Sequence, residues 1–169
     1  MAEEHSLWLK KEPSAQDVIA ELSALPWERV GEIVFCGFGE PTMRLDVLLD
    51  ILRWLRAEHQ NIKTRLNTNG LSDLFYGRDT APDFDGLLDT VSISLNASNA
   101  ERYLELTRSR FGMKSFEAML AFAEHAKKYV PDVVLTVVDH VEDDGEIARC
   151  RELCAARGLR LRVRPYEAD

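Results

Sequence analysis

Apolar positions recur along the chain in two alternating rhythms, one of helical spacing and one of short extended runs. From Ser14 to Leu25, Val18, Ile19 and Leu22 share one helical face. Pro13 precedes them, and Ser14 and Asp17 stand at capping-box spacing, which predicts a helix with a defined start. Glu32 to Cys36 is a short apolar run ended by glycines and predicts a buried strand. Leu45 to Glu58 carries Leu48, Leu52 and Leu55, with Ile51 beside them, and predicts a second helix. Ile62 to Asn67 predicts a second strand, closed by the turn-like Asn67-Thr-Asn-Gly70.

The pattern weakens between Leu71 and Asp89, where it predicts a loop with a short helix near Phe84 to Leu88. Thr90 to Asn96 then alternates cleanly as a third strand, with Val91, Ile93 and Leu95 on one face and Ser92, Ser94 and Asn96 on the other. Helices follow over Ala100 to Thr107 and Ser115 to Tyr129, the second closing before Pro131. Val133 to Val138 is almost continuously apolar, as expected of a parallel strand covered on both faces. Glu146 to Arg157 reads as a helix stopped by Gly158, and Leu159 to Arg164 as the last strand. A helix followed by five strands alternating with helices predicts a parallel α/β sheet, open or closed into a barrel. The chain opens on a helix whose apolar face needs a sheet, so a further strand is expected ahead of it.

Composition narrows this picture. At 169 residues the chain fits one domain spanning 1–169, and its 46% apolar and 30% charged residues exclude a disordered or low-complexity protein. No apolar run approaches the ~20 residues of a membrane span. Met1 to His5 is acidic and unlike a signal peptide, so a cytoplasmic location is expected. The net charge of −8 excludes a general basic surface for nucleic acid. Three cysteines, Cys36, Cys150 and Cys154, are an odd number and do not make a disulfide framework.

Ligands of parallel α/β folds bind beyond the carboxyl ends of the strands. The first predicted strand ends in Gly37, Gly39, Glu40 and Pro41. The glycines permit a close backbone approach or a positive φ, Glu40 adds a carboxylate that can accept from an ammonium group, and Pro41 ends the strand. The same pattern also fits a tight β-to-α turn with no ligand. The second strand ends in Asn67, Thr68 and Asn69, the third in Ser94 and Asn96. Small polar groups there suit a cavity, or equally internal hydrogen bonding or a solvated face.

The last strand sets Arg160, Arg162 and Arg164 on one face. Such a row suits a carboxylate or phosphate, or protects an edge strand from aggregation. Cys150 and Cys154 lie one turn apart on an amphipathic helix and read as core residues, with no further ligands to complete a metal set. His5, His59, His125 and His140 are scattered, and none pairs with a nucleophile.

The run from Val34 to Thr42, Val-Phe-Cys-Gly-Phe-Gly-Glu-Pro-Thr, resembles the G-G-E-P segment of radical S-adenosylmethionine (SAM) enzymes. Arg65 to Gly70, Val91 to Asn96, Leu135 to Asp139 and Arg162 to Arg164 are similar, in the same order, to segments of the TatD-associated radical SAM proteins. The resemblance runs from about Leu7 to Tyr166. It implies a partial (β/α)6, TIM-like barrel that here lacks its first strand. It also implies that Gly39 and Glu40, within the Gly37 to Pro41 turn, contact the SAM amino group. Asn67, Asn69, Ser94 and Asn96 would lie near the ribose and carboxylate, and Val138 and the backbone near Arg164 would flank the adenine. Phe38 stands where the commoner motif has glycine.

The departure lies at the front. Members carry C-x3-C-x2-C ahead of the helix that begins here near Ser14. Its thiolates hold a [4Fe–4S] cluster whose reduction cleaves SAM to a 5′-deoxyadenosyl radical. Cys36, Cys150 and Cys154 do not occupy those positions, so this chain is expected to assemble no cluster. Truncation, rather than decay of the motif, is the expected cause, with self-association through the uncovered sheet edge, or marginal stability, as its consequence. The substrate, a small molecule or a peptide, is left open, and the family name implies a TatD-type nuclease as partner. The alternatives are a SAM- or nucleotide-binding module without chemistry, and a scaffold.

Overall fold

The computed structural model describes residues 11–37, 39–139 and 144–166. The expectations placed on Met1 to His5, on Leu7, on Phe38 and on His140 lie outside the described residues.

The first helix, α1 (Ala15–Ser23), opens with the reciprocal bonds that the Ser14/Asp17 spacing predicts. The Asp17 N–H donates to Ser14 Oγ at 3.2 Å, and the Ser14 N–H donates to Asp17 Oδ2 at 2.9 Å. The partly buried Val18, Ile19 and Leu22 pack with Ala15 against Ile51 and Leu55 of α2 (Leu45–Glu58) and against Ile33 and Phe35 of β1 (Glu32–Phe35). The sheet that this helix needs is thus met by β1. On α2 the apolar stripe predicted from Leu48, Ile51, Leu52 and Leu55 is buried throughout.

The chain continues through β2 (Lys63–Thr68), α3 (Ser72–Tyr76), β3 (Thr90–Ser94), α4 (Ala100–Thr107), α5 (Lys114–Ala126), β4 (Asp132–Val138), α6 (Asp144–Ala156) and β5 (Arg160–Arg164). All four strand pairings are parallel and the order is β1-β2-β3-β4-β5. Right-handed crossovers between strands in consecutive order place every connecting helix on the same face. That arrangement is a partial, TIM-like barrel and not a doubly wound sheet, which needs a reversal of order.

The helix-facing side carries Leu66, Val91, Ile93, Leu135 and Val137, all in the main core with Leu52, Phe84, Met119 and Phe122. The other side carries Asn67, Ser92 and Val134 in register as one row, and Ser94, Thr136 and Arg162 as the next. Cys150 and Cys154 are buried in the core.

Three local expectations change. The weak stretch 71–89 holds the short helix α3, and its second helical turn is at Ala81–Phe84, not Phe84 to Leu88, because Pro82 starts a 3-10 turn. Strand β1 is a sheet edge and not a buried strand, with Val34 41% exposed, since only β2 pairs with it among the described residues. At the amino ends of β2 and β3, Asp89 accepts from the Arg56 guanidinium at 2.7 Å and from the Thr64 N–H at 2.8 Å. Burial alone would raise the Asp89 carboxyl, yet these bonds and the nearby Lys63 hold it at about 2.

Candidate functional site

Beyond the carboxyl end of β1 the chain turns through Gly37, Gly39, Glu40 and Pro41 into a 3-10 turn, Pro41–Arg44, that leads directly into α2. Gly37 has φ +154°, a conformation that side chains disfavour. Glu40 caps the turn. Its Oε1 accepts from the Thr42 N–H at 3.1 Å and from the Thr42 hydroxyl at 2.8 Å. The same oxygen accepts from the Thr68 hydroxyl at 2.6 Å, and Oε2 accepts from the Asn69 N–H at 2.8 Å. The carboxylate expected to meet an ammonium group therefore ties the β1 turn to the end of β2. Behind the turn, the Tyr76 hydroxyl of α3 accepts from the Leu45 N–H at 3.2 Å and lies 3.0 Å from the Thr42 carbonyl.

A cavity of about 970 Å³ opens over this turn. Gly37, Gly39, Glu40, Pro41, Asn69 and Asn96 all line it. Asn69 Oδ1 accepts from the Leu71 N–H at 2.9 Å, an Asx turn that sets the side chain at the cavity rim. Asn96 takes φ +62°, which asparagine tolerates better than most residues, and so ends β3 with its side chain at the cavity.

Four of the expected residues stand elsewhere. Asn67, Ser94, Val138 and Arg164 do not line the cavity; they lie on the helix-free side of the sheet, on β2, β3, β4 and β5. Strand alternation explains the split: residues within a strand point to one face or the other, whereas Asn69 and Asn96 have left their strands. Val138 and Arg164 are paired neighbours, and the Arg164 carbonyl accepts from the Asp139 N–H at 2.7 Å. Of the three arginines, Arg160 pairs with Asp132.

The wall opposite the turn was not foreseen. It consists of Tyr103 on α4, the 107–111 segment, and Phe75 on α3. Tyr103 falls on the apolar stripe of its helix and reads as core; the residue is 1% exposed. Its hydroxyl has no hydrogen-bond partner among the described residues, and no side-chain oxygen wholly shut off from solvent lacks a partner. The hydroxyl is therefore the part that reaches the cavity. Burial, and secondarily the Glu40 charge, push it up to about 12, so it is a donor at neutral pH. A hydroxyl on an otherwise apolar stripe was the available signal.

The thiols do not make a cluster site. Cys36 is exposed at the end of β1, whereas Cys150 and Cys154 are buried on α6, where burial pushes the Cys150 thiol up to about 12. Thiolates are the ligand form, and this set presents neither three thiolates nor a shared location. Apart from the cavity, Asp73, Asp79 and His125 bring one ligand atom each within 4.8 Å, but Asp73 Oδ1 already accepts from the Thr80 N–H and hydroxyl. Among the described residues no helix is long and apolar enough to cross a membrane.

A partial parallel barrel with a glycine-turned cavity at the carboxyl ends of its strands defines an α/β domain of the barrel class. The chain belongs to the Radical SAM superfamily, whose profile matches residues 3–154. It is 32% identical over 165 residues to the GTP 3′,8-cyclases of two Corynebacterium glutamicum strains, covering 92% of this chain and 41% of theirs. The chain thus spans less than half the length of these relatives. A crystal structure of a radical SAM methyltransferase from Sphaerobacter thermophilus shares the fold, with TM-score 0.55 at 19% identity, over 95% of this chain and 60% of that one.

Proposed function

We propose that this chain is the SAM-holding portion of a radical SAM enzyme. The observation that carries the reading is the Glu40 brace. It fixes a glycine-bearing turn at the mouth of a 970 Å³ cavity, with Asn69 and Asn96 converging on it. Pockets of roughly 300–1,000 Å³ hold ligands of cofactor size. Membership of the superfamily supports SAM as that ligand.

SAM supplies an activated sulfonium; the work of this chain is to hold it. With the Glu40 carboxylate committed to the brace, the backbone carbonyls of the turn and the remaining lone pairs of that carboxylate receive the amino group. Asn69 and Asn96 meet polar groups farther along the molecule. The test is isothermal titration of the folded chain with SAM. Saturable binding of one SAM per chain is expected, weakened in Asn96→Ala; a folded chain that shows no saturable heat sinks the reading.

A second reading, a module that holds SAM without radical chemistry, is favoured by one observation: the separation of Cys36 from Cys150 and Cys154. Product analysis separates the two. The enzyme reading requires 5′-deoxyadenosine from SAM under strong reductant in the complete system, and the module reading requires none.

A further inference from the structure

Outside the cavity, two aspartates and a histidine converge with no basic side chain to balance them. Asp73 on α3, Asp79 in the loop after it and His125 on α5 each bring one ligand atom within 4.8 Å of the others. Neither aspartate has a lysine or arginine at ion-pair distance among the described residues. The neighbouring Arg78 is drawn instead to Asp83, at 2.5 Å.

Each carboxylate is anchored through one oxygen and leaves the other available. Asp73 Oδ1 accepts from the Thr80 N–H at 2.8 Å and from the Thr80 hydroxyl at 2.7 Å, and Asp79 Oδ1 accepts from the Ala81 N–H at 3.0 Å. Asp79 Oδ2 faces His125 Nδ1 at 3.7 Å, too far for a hydrogen bond between them. That spacing fits two ligands of one ion. Ligand atoms bound at roughly 2.1 Å stand about 3.0 Å apart at right angles and about 4.2 Å apart in line. The histidine–aspartate distance falls inside this range, and the widest spacing in the trio enters it after a shift of less than about 1 Å. Carboxylates steadied by outer hydrogen bonds are also how metal sites orient their ligands. The donor set selects the ion: carboxylates alone suit Mg²⁺ or Ca²⁺, and the imidazole turns the preference toward Zn²⁺ and Co²⁺.

We propose that Asp73, Asp79 and His125 form a site for a divalent ion of the Zn²⁺ or Co²⁺ class, which clasps α3 and the loop after it to α5. Water completes the coordination, since the side chains of His125 and Asp79 are 48% and 46% exposed. Helix α3 carries Phe75 at the cavity wall and Tyr76 behind the Gly37 to Pro41 turn, so the clasp steadies the element that backs the cavity. None of the three ligands lines the cavity, and the site stands whether or not the chain holds SAM.

The chain, stripped of metal with a chelator, is titrated with Zn²⁺ by calorimetry and with Co²⁺ by visible absorption, and is melted with and without each ion. The same is done for Asp79→Asn and His125→Gln. One ion per chain and a raised melting temperature are expected for the parent, with Mg²⁺ binding more weakly than Zn²⁺. Each variant is expected to bind Zn²⁺ at least about tenfold more weakly, the least that even indirect partners of a metal usually cost. Without metal, both variants should melt close to the parent, because these side chains are exposed. The proposal is overturned if the folded chain takes up no Zn²⁺, or if either variant binds it as tightly as the parent, which would place the ion elsewhere. It is equally overturned if Mg²⁺ binds as tightly as Zn²⁺, which would reduce the trio to an acidic surface. Failure of SAM to bind, with Zn²⁺ uptake and its loss in both variants retained, removes the SAM reading and leaves the metal site standing.

Discussion

Glu40 and Asn69 stand 29 residues apart in sequence, yet Glu40 Oε2 accepts the Asn69 N–H at 2.8 Å, while the other carboxylate oxygen takes two threonine hydroxyls and a further N–H. Four donors converge on one carboxylate, so an amide cannot replace it. In Glu40→Gln one of the two oxygens becomes an NH2 group facing a donor. The variant is expected to lose about 1–3 kcal/mol of stability, the cost of opposing an unsatisfied donor, and to bind SAM more weakly. Urea denaturation at pH 7 checks the first part. An unchanged midpoint would show that the brace is not formed in solution.

Gly37 and Gly70 separate conformation from space. At Gly70, φ is +73° and an added Cβ would lie 2.9 Å from Ile93 Cγ2 and 3.1 Å from Met119 Cγ. At Gly37, φ is +154° but nothing lies within 4 Å. Gly70→Ala is expected to cost about 2–4 kcal/mol, combining the left-handed penalty with overpacking. Gly37→Ala is expected to cost about 1–3 kcal/mol of backbone strain and to act mainly on ligand binding. Comparing melting temperatures with SAM titrations in the two variants tests the distinction; equal stability losses would contradict the packing around Gly70.

How much was legible in the sequence depended on whether a signal was local. The Ser14/Asp17 box and the leucine stripe of α2 involve residues a turn apart, and the structure keeps both where the pattern places them. The parallel α/β sheet followed because strands alternating with helices leave few other arrangements, whereas the choice between an open and a closed sheet did not. The helix α3 is five residues long and its N-cap residue, Leu71, makes no side-chain cap, so it is too short to build a period. In the site, Gly37, Gly39, Glu40, Asn69 and Asn96 were visible as strand ends. The opposite wall was not, because Tyr103 sits in an apolar stripe and Arg110 meets Phe75 across 35 residues. Nor could the pattern show that the Glu40 carboxylate is engaged by its own chain.

The three thiols divide by environment, and a reagent can count them. Cys36 is exposed, whereas burial raises both Cys150 and Cys154, the former to about 12. Since the thiolate is the nucleophile, buried thiols held protonated react only when the chain opens. One thiol is expected to react promptly with a disulfide reagent at pH 8, and the other two only in denaturant. Prompt reaction of all three would contradict the core placement of α6.

The Asp89 network makes stability depend on acid in a defined window. Asp89 is depressed to about 2 from an ordinary 3.8, with its side chain 25% exposed and bonded to Arg56 and the Thr64 N–H. A group whose pKa is lower folded than unfolded binds fewer protons in the native state. Its contribution is therefore fully present above the unfolded value and lost as pH falls through the folded one. At 1.36 kcal/mol per pKa unit, the depression amounts to about 2 kcal/mol, present at neutral pH and lost between about pH 4 and pH 2. Asp89→Asn keeps the size of the side chain and removes the charge. It is expected to lower stability by about 2 kcal/mol at pH 7, where Arg56 loses its partner, and by little at pH 2, where the parent has lost the same contribution. Urea midpoints of parent and variant should therefore converge as the pH is lowered from 5 to 2. Parallel curves over that range would show that Asp89 titrates alike in the folded and unfolded chain.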